Sequence, residues 1–354
     1  MDQFDFIVLA VKTLVILVLI IQVVPVMIYL ERKIAALIQD RPGPNRVGPL
    51  GLLQPVADAL KLLMKEDPVP SNVNKFLFQI APFLAVMPAC LSLAALPLGD
   101  FFEIGDRKYL LQIADLNVGL LYIFAIGSLG IYGTLFGGWA SNNKFSLIGA
   151  MRSASQIVSY EIPLALGVTG AVMMYGTLSL REMVFKQSGL LLGVLPNWGV
   201  FYQPLGFLVF FVAAFAETNR LPFDLPETEA ELVAGFHTEY GSMSFASFFM
   251  AEYMAMTTMS AVMTTVYFGG WQIPYLSDEA LFSMIGSRNI LALIQVAVFF
   301  TKVMVFMCIY VWVRWTLPRF RFDQLMKLSW GNLIPIGLIN IVLTAIGLYF
   351  WDKR

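Results

Sequence analysis

Six of the chain's 24 acidic residues lie within the 23 positions from 217 to 239: Glu217, Asp224, Glu227, Glu229, Glu231 and Glu239. Only Arg220 and His237 stand against them there. A merely solvated acidic turn needs neither interleaved Leu, Phe and Val nor pinning by Pro222 and Pro226, and this stretch has both. Carboxylates crowded together repel one another, so some are expected to hold protons near neutral pH. A proton relay requires that property. Glu161, Glu217 and Glu252 also fall inside or at the end of long apolar runs. A charge placed in hydrocarbon costs about 2.5–3.5 kcal/mol on insertion scales and marks a functional position by default. A neutral Glu bonded to a neighbouring helix would explain one such residue, and explains three together less well. Among the cations inside these runs, Lys12 is expected to snorkel to the outer interface and the deeper Lys302 to pair with a carboxylate.

A second cluster follows the first apolar run. Glu31-Arg32-Lys33 leads into Asp40-Arg41-Pro42-Gly43-Pro44-Asn45-Arg46-Val47-Gly48-Pro49, where three prolines and two glycines in eight residues forbid a helix and force a turn. From Leu50 to Glu66 an amphipathic helix is expected. Gln54, Asp58, Lys61 and Lys65 share one face, and Leu53, Val56, Leu60 and Leu63 line the other. Such a helix lies in the membrane interface or packs on a soluble partner, and it can do both. With Glu31, Arg32 and Arg41 it forms an arrangement through which an amphiphile could enter from the bilayer. Near the carboxyl end, Arg314-Trp315 and Arg319-Phe320-Arg321-Phe322 alternate basic and aromatic residues. This pattern suits membrane anchoring, or docking of an acidic partner or of the 217–241 loop.

These residues must be positioned by membrane helices. Apolar residues make up 58% of the 354 and charged residues 13%, about half what a soluble surface needs. Eight apolar runs, near 7–30, 76–98, 116–138, 156–178, 203–217, 243–268, 290–313 and 332–351, approach the ~20 residues that cross a bilayer. The expected fold is an all-α polytopic membrane protein with eight transmembrane helices plus an amphipathic interfacial helix. It forms one membrane domain over 1–354, with cytoplasmic loops at 31–75 and 217–241. Odd-numbered loops carry 14 Lys and Arg, whereas even-numbered loops and the tail carry 7, which puts the odd loops inside. The acidic start Met1-Asp2-Gln3-Phe4-Asp5 is unlike a signal-peptide leader, so the first run is expected to stay in the mature chain. Gly127, Gly130, Gly133 and Gly137 share a face suited to close helix packing. A net charge of −1 argues against nucleic acid, and two Cys with one His cannot alone build an iron–sulfur, zinc or bis-His haem site. Electron carriers must then sit on partner subunits or on a diffusible ligand.

Four motifs together resemble the family of membrane-embedded H subunits of proton-pumping NADH:quinone oxidoreductase (respiratory complex I). They are Glu31-Arg32-Lys33 through Arg41-Pro42-Gly43-Pro44-Asn45 to Asp58; Glu217-Thr218-Asn219-Arg220 with Pro222-Phe223-Asp224 and Glu227 to Glu231; Met250-Ala251-Glu252-Tyr253; and Pro318-Arg319-Phe320-Arg321 with Asp323. The similarity runs from about residue 7 to 345. It implies a subunit, not catalytic alone, that anchors the hydrophilic arm and helps wall the chamber where quinone is reduced. Glu31, Arg32, Arg41, Asp58, Arg220 and Phe236 would line or brace the quinone entrance. Glu217, Asp224, Glu227, Glu229 and Glu231 would form the acidic stretch coupling quinone chemistry to the membrane, and Glu161 and Glu252 would carry the proton path onward. Quinone is then a substrate, with FMN and iron–sulfur clusters on partners. Those partners would include the terminal iron–sulfur subunit, its quinone-site neighbour, small membrane subunits and antiporter-like subunits. The length suits a bacterial inner membrane better than a mitochondrial one. The segment from Phe185 to Trp198 matches no motif of the family. Competing identities are the related membrane subunit of a proton-pumping hydrogenase or formate-linked complex, a stand-alone proton-coupled carrier, and a scaffold. The first-loop turn and the acids at membrane depth favour the quinone enzyme.

Overall fold

The computed structural model describes residues 3–105, 107–191, 193–276 and 278–351. Met1 and Asp2 of the acidic start lie outside them. The first apolar run forms α1 (Gln3–Ile21) and α2 (Val23–Ile38), and the first loop carries α3 (Gln54–Met64). Next come α4 (Lys75–Ser92), α5 (Gly119–Ser128), α6 (Ile131–Ala140) and the long α7 (Lys144–Tyr175). Two short helices, α8 (Leu180–Lys186) and α9 (Gly199–Tyr202), lead to α10 (Pro204–Glu217). The acidic loop carries α11 (Glu229–Leu232) before α12 (Ser242–Tyr267), α13 (Asp278–Ile285) and α14 (Arg288–Thr316). Finally α15 (Phe322–Lys327) passes through a wide π turn into α16 (Ile334–Trp351).

All eight apolar runs are helical. Among the described residues, however, six helical stretches, not eight, have both the length and the hydropathy to cross a membrane: Asp5–Ile38, Lys75–Ala95, Gly119–Ala140, Lys144–Tyr175, Arg288–Thr316 and Phe322–Phe350. The other two fall short for different reasons. α10 is apolar but has 14 residues, about 21 Å of rise against ~30 Å of hydrocarbon. α12 has 26 residues, among them eight Ser and Thr that lower its apolarity. Thr257, Thr258, Thr264 and Thr265 each donate to the carbonyl four residues back, so their hydroxyls are satisfied within the helix. The fold also departs from all-α in two hairpins. β1 (Phe101–Ile104) pairs with β2 (Arg107–Leu110), Phe101 opposite Leu110. β3 (Leu190–Leu191) pairs with β4 (Leu195–Pro196), which makes the segment after Phe185 a small turn outside the helices.

Small residues bring the helices close. A Cβ on Gly133 of α6 would sit 2.5 Å from the backbone nitrogen of Ala85 on α4. Gly167 of α7 and Gly206 of α10 face each other so that a Cβ on Gly206 would meet the Gly167 oxygen at 2.7 Å. Without a hydrophobic drive between helices in lipid, such close approach supplies the packing energy. The glycine face on α5 and α6 is therefore only partly a packing face. Gly133 and Gly137 contact neighbours, whereas Gly127 and Gly130 flank the break between α5 and α6 and line a cavity. Lys302 also differs from expectation: its ammonium donates to the carbonyls of Phe268, Gly270 and Gln272 at 2.7–2.9 Å, closing off the end of α12 without a carboxylate. Lys12 reaches the Gln112 carbonyl of the second loop.

Candidate functional site

The acidic loop is held from α7. Gln156 is fully buried, and its amide nitrogen faces the oxygens of Ala216 at 2.7 Å, Phe223 at 2.8 Å and Asn219 at 3.1 Å. Thr228 donates to the Asp224 and Leu225 carbonyls, closing the next turn. Gly235 adopts φ +62°, and a Cβ there would collide with the Pro226 oxygen. Only glycine lets the loop return beneath itself. From the last loop, Arg319 pairs with Asp224 at 3.0 Å, and Phe320 stacks on Phe223 with centroids 5.4 Å apart. Of the two roles open to the basic–aromatic tail, docking on the acidic loop is the one these contacts realise.

Inside this frame Arg220 is shared between two carboxylates. It lies 3.9 Å from Glu31 and 3.6 Å from Glu252, with its guanidinium 4.4 Å from the Tyr253 ring centre. Glu31 also accepts from the Tyr253 hydroxyl and pairs with Arg314. Burial opposes the Arg220 charge, but Tyr253, Glu252, Glu31 and Glu227 outweigh it and hold the guanidinium charged. Asp224 is pushed up to about 7, first by burial and then by the neighbouring Glu227, while Arg319, Arg220 and Arg314 pull it back. His237 faces Glu227 at 3.5 Å; burial lowers its proton affinity and Glu227 opposes that.

Three cavities lie in a row through this network. The first, about 1250 Å³, opens between α2, α3 and α12 and is lined by Glu31, Arg32, Arg41, Asp58, Phe249 and Tyr253. It exceeds the few hundred to ~1,000 Å³ typical of small-molecule sites. The second, about 210 Å³, is lined by Arg220, Asp224, Glu227, His237, Glu252 and Arg314. Phe245 and Phe249 line both of these. The third, about 90 Å³, lies at membrane depth against Glu217, Thr258 and Thr134, and shares Asn219 and Glu252 with the second. Carboxylates thus occur in every chamber, and neighbouring chambers share lining residues.

The structure gathers most of the residues singled out by sequence. Arg32 pairs with Asp58 at 2.6 Å on the wall of the first cavity, and the exposed Arg41 lines the same wall. Glu161 is near enough to Glu217 for their charges to act on each other. Two residues sit elsewhere. Phe236 is buried against the third cavity instead of the first, its ring edge-on to Phe248 at 5.2 Å. Glu231 turns outward and pairs with Arg152 of α7 at 2.6 Å. The Glu229 side chain lies outside the described residues. Tyr253 stood in one of the four motifs without a role, and Gln156 and Tyr310 were not singled out by the sequence, the last stacked on Phe215 at 3.9 Å with its hydroxyl near Glu217. Tyr253 adjoins Glu252 and could have been found; the others are ordinary core residues until the helices meet.

Residues 11–345 match the model of the NADH dehydrogenase family. The chain is 51% identical to the first of the NADH-quinone oxidoreductase H subunits of Cytophaga hutchinsonii over 317 residues, covering 90% of each chain. It is 45% identical to the NADH-quinone oxidoreductase H subunit of Bdellovibrio bacteriovorus, covering 98% of each. With the first H subunit of the same enzyme from Solibacter usitatus it shares 44% identity over 100% of this chain and 99% of that one. With a family match over nearly the whole length and relatives this similar, the chain belongs to the NADH dehydrogenase family.

Proposed function

We propose that the chain is the membrane subunit of a proton-translocating NADH:quinone oxidoreductase that walls the quinone chamber and couples quinone reduction to proton movement. It is not catalytic alone. The observation that carries this is the row of three cavities with shared walls, running from an amphiphile-sized opening to carboxylates among the helices. Quinone would enter over α3, where Val56, Leu60 and Leu63, with Leu53 just before the helix, are exposed on the side away from the Asp58 pairing, an orientation suited to the bilayer interface. Arg32, Arg41, Asp58 and Glu31 would guide the headgroup. Reduction takes two protons and two electrons, and iron–sulfur clusters and FMN on partner subunits would supply the electrons. A quinone that becomes anionic before it is protonated changes the field at Glu31 and Arg220. Arg220 is then drawn between Glu31, Glu252 and the quinone, and the proton occupancy of Asp224, Glu227 and Glu252 shifts with it. Glu217 and Glu161 would pass the change onward.

In this arrangement α10 and α12 cross within the bundle, giving eight spans, with α12 screened from lipid by α4 and α14. The even-numbered loops face outward and the acidic loop inward, in a bacterial inner membrane. Partners are the terminal iron–sulfur subunit of the hydrophilic arm, its quinone-site neighbour, small membrane subunits and antiporter-like subunits. The test is Glu217→Gln in the assembled complex reconstituted in liposomes. Quinone-linked proton pumping should fall sharply, and undiminished pumping would overturn the proposal.

A further inference from the structure

The segment from Phe185 to Trp198, which matches no motif of the family, supplies Lys186 and Asn197 to a fourth cavity. This cavity, about 750 Å³, lies at the start of α10, the opposite end of that helix from Glu217. Its walls are the last residues of α7 (Met174, Tyr175), the first of α10 (Pro204, Leu205) and α16 from Asn340 to Leu348. Those eight steps along α16 rise about 12 Å, under half of the ~30 Å of hydrocarbon. A partner's spanning helix needs a groove across the whole thickness, whereas a lipid of one leaflet needs only this much. Leu205 and Leu343 are exposed, so the cavity opens sideways, and a Cβ on Gly347 would meet nothing within 4 Å. Gln203, Asn340 and Thr344 bond to one another at 2.9–3.3 Å, so their polarity is met within the protein.

The mouth of this cavity carries a cation. The Lys186 ammonium donates to the Tyr175 carbonyl, which leaves two N–H groups for a further acceptor. Among the described residues no carboxylate lies within ion-pair distance of that ammonium. Asn197 donates to the Lys186 and Ser188 carbonyls and accepts from the Tyr202 hydroxyl, which fastens the segment beside the opening. Within the segment the β3–β4 hairpin exposes Leu190, Val194 and Leu195, apolar side chains suited to a membrane surface.

We infer that this cavity holds one phospholipid of the leaflet opposite the acidic loop, its net negative headgroup on Lys186 and an acyl chain along α10 and α16. A lysine ammonium binds phosphate as a compact point charge, and the headgroup oxygens accept its two remaining N–H groups. The acyl chain lies against Leu205, Leu343 and Leu348. This site takes no part in the proton path and stands whether or not that path does.

The test uses the assembled complex in detergent, with phosphatidylglycerol carrying a photoreactive group on one acyl chain. After illumination, labelled peptides are mapped by mass spectrometry and counted per complex. Label should appear on residues 340–348 and saturate, with unlabelled phosphatidylglycerol competing for it and inorganic phosphate not. Lys186→Gln should weaken the apparent affinity about fivefold, the scale of one basic side chain at an anionic lipid surface, and Lys186→Arg should retain it. Gly347→Phe, placed where the helix leaves free space, should fill the cavity and abolish the saturable label. Label that never saturates, or that phosphatidylcholine or inorganic phosphate displaces equally well, overturns the inference. So does an equal loss in Lys186→Gln and Lys186→Arg. An unlabelled α16, the result if a partner's helix covers this face, overturns it as well.

Discussion

Arg220 is one cation serving two buried carboxylates, and its removal gives a sharp prediction. At 3.6 Å from Glu252 and 3.9 Å from Glu31, each attraction is worth about 4 kcal/mol at an effective dielectric near 20. Much of that offsets the cost of taking three charges out of water, so the net worth of the triad is smaller. Taking away one partner is the costly change, because it strands the others. Arg220→Met should therefore destabilise the subunit by about 3–5 kcal/mol. Glu31 keeps Arg314 and the Tyr253 hydroxyl, so most of the penalty belongs to Glu252. Adding Glu252→Gln should recover about 1–3 kcal/mol, the coupling expected of residues in one buried network. The measurement is a double-mutant cycle from denaturant unfolding of the subunit in mixed micelles, followed by tryptophan fluorescence. Additivity of the two substitutions to within about 0.5 kcal/mol would refute the shared-cation argument.

Asp224 carries the pH prediction. Its carboxyl is raised from 3.8 to about 7 in the folded chain, so the fold binds a proton there that the unfolded chain releases near pH 4. Stability contributed by this group is full below pH 4 and falls as pH rises towards 7, with a limiting slope of about 1.4 kcal/mol per pH unit. Asp224→Asn should flatten that fall, and it should remove a carboxyl stretching band that titrates near neutrality in infrared difference spectra. Gly235→Ala should displace the acidic loop, since the new Cβ meets the Pro226 oxygen; pumping should collapse while membrane insertion, read by fractionation, is retained. Arg32→Ala should raise KM for quinone several-fold with less than about 1 kcal/mol lost in stability, because the Arg32–Asp58 pair is partly exposed.

Much of this was legible in the sequence, and the limits were physical. Apolar runs identified every long helix, because a 20-residue run has few other fates. The proline–glycine turn and the acidic loop were visible because their residue types are costly where they stand. What sequence could not give was the third dimension of the acidic loop. Glu231 sits two residues from Glu229 and four from Glu227, yet α11 points it outward to Arg152. Phe236 reached the inner cavity because the loop doubles back at Gly235, a left-handed turn that a glycine permits but does not announce. Lys302 found three carbonyls in the turn that follows α12 instead of a carboxylate, since a turn aims backbone oxygens that no residue code reveals. The length of α10 and the hydroxyls of α12 set those two runs apart from the six that meet both length and hydropathy, a difference that apolarity alone does not register.

Gln156 has two amide hydrogens and three oxygens to serve, so one acceptor is always left waiting. The turn from Ala216 to Phe223 is therefore gathered onto α7 by one amide nitrogen, with all three oxygens within 2.7–3.1 Å of it. Glu161 lies five residues further along the same helix. The side chain that fastens the acidic loop thus stands on the same helix as the next acid, about one and a half turns before it.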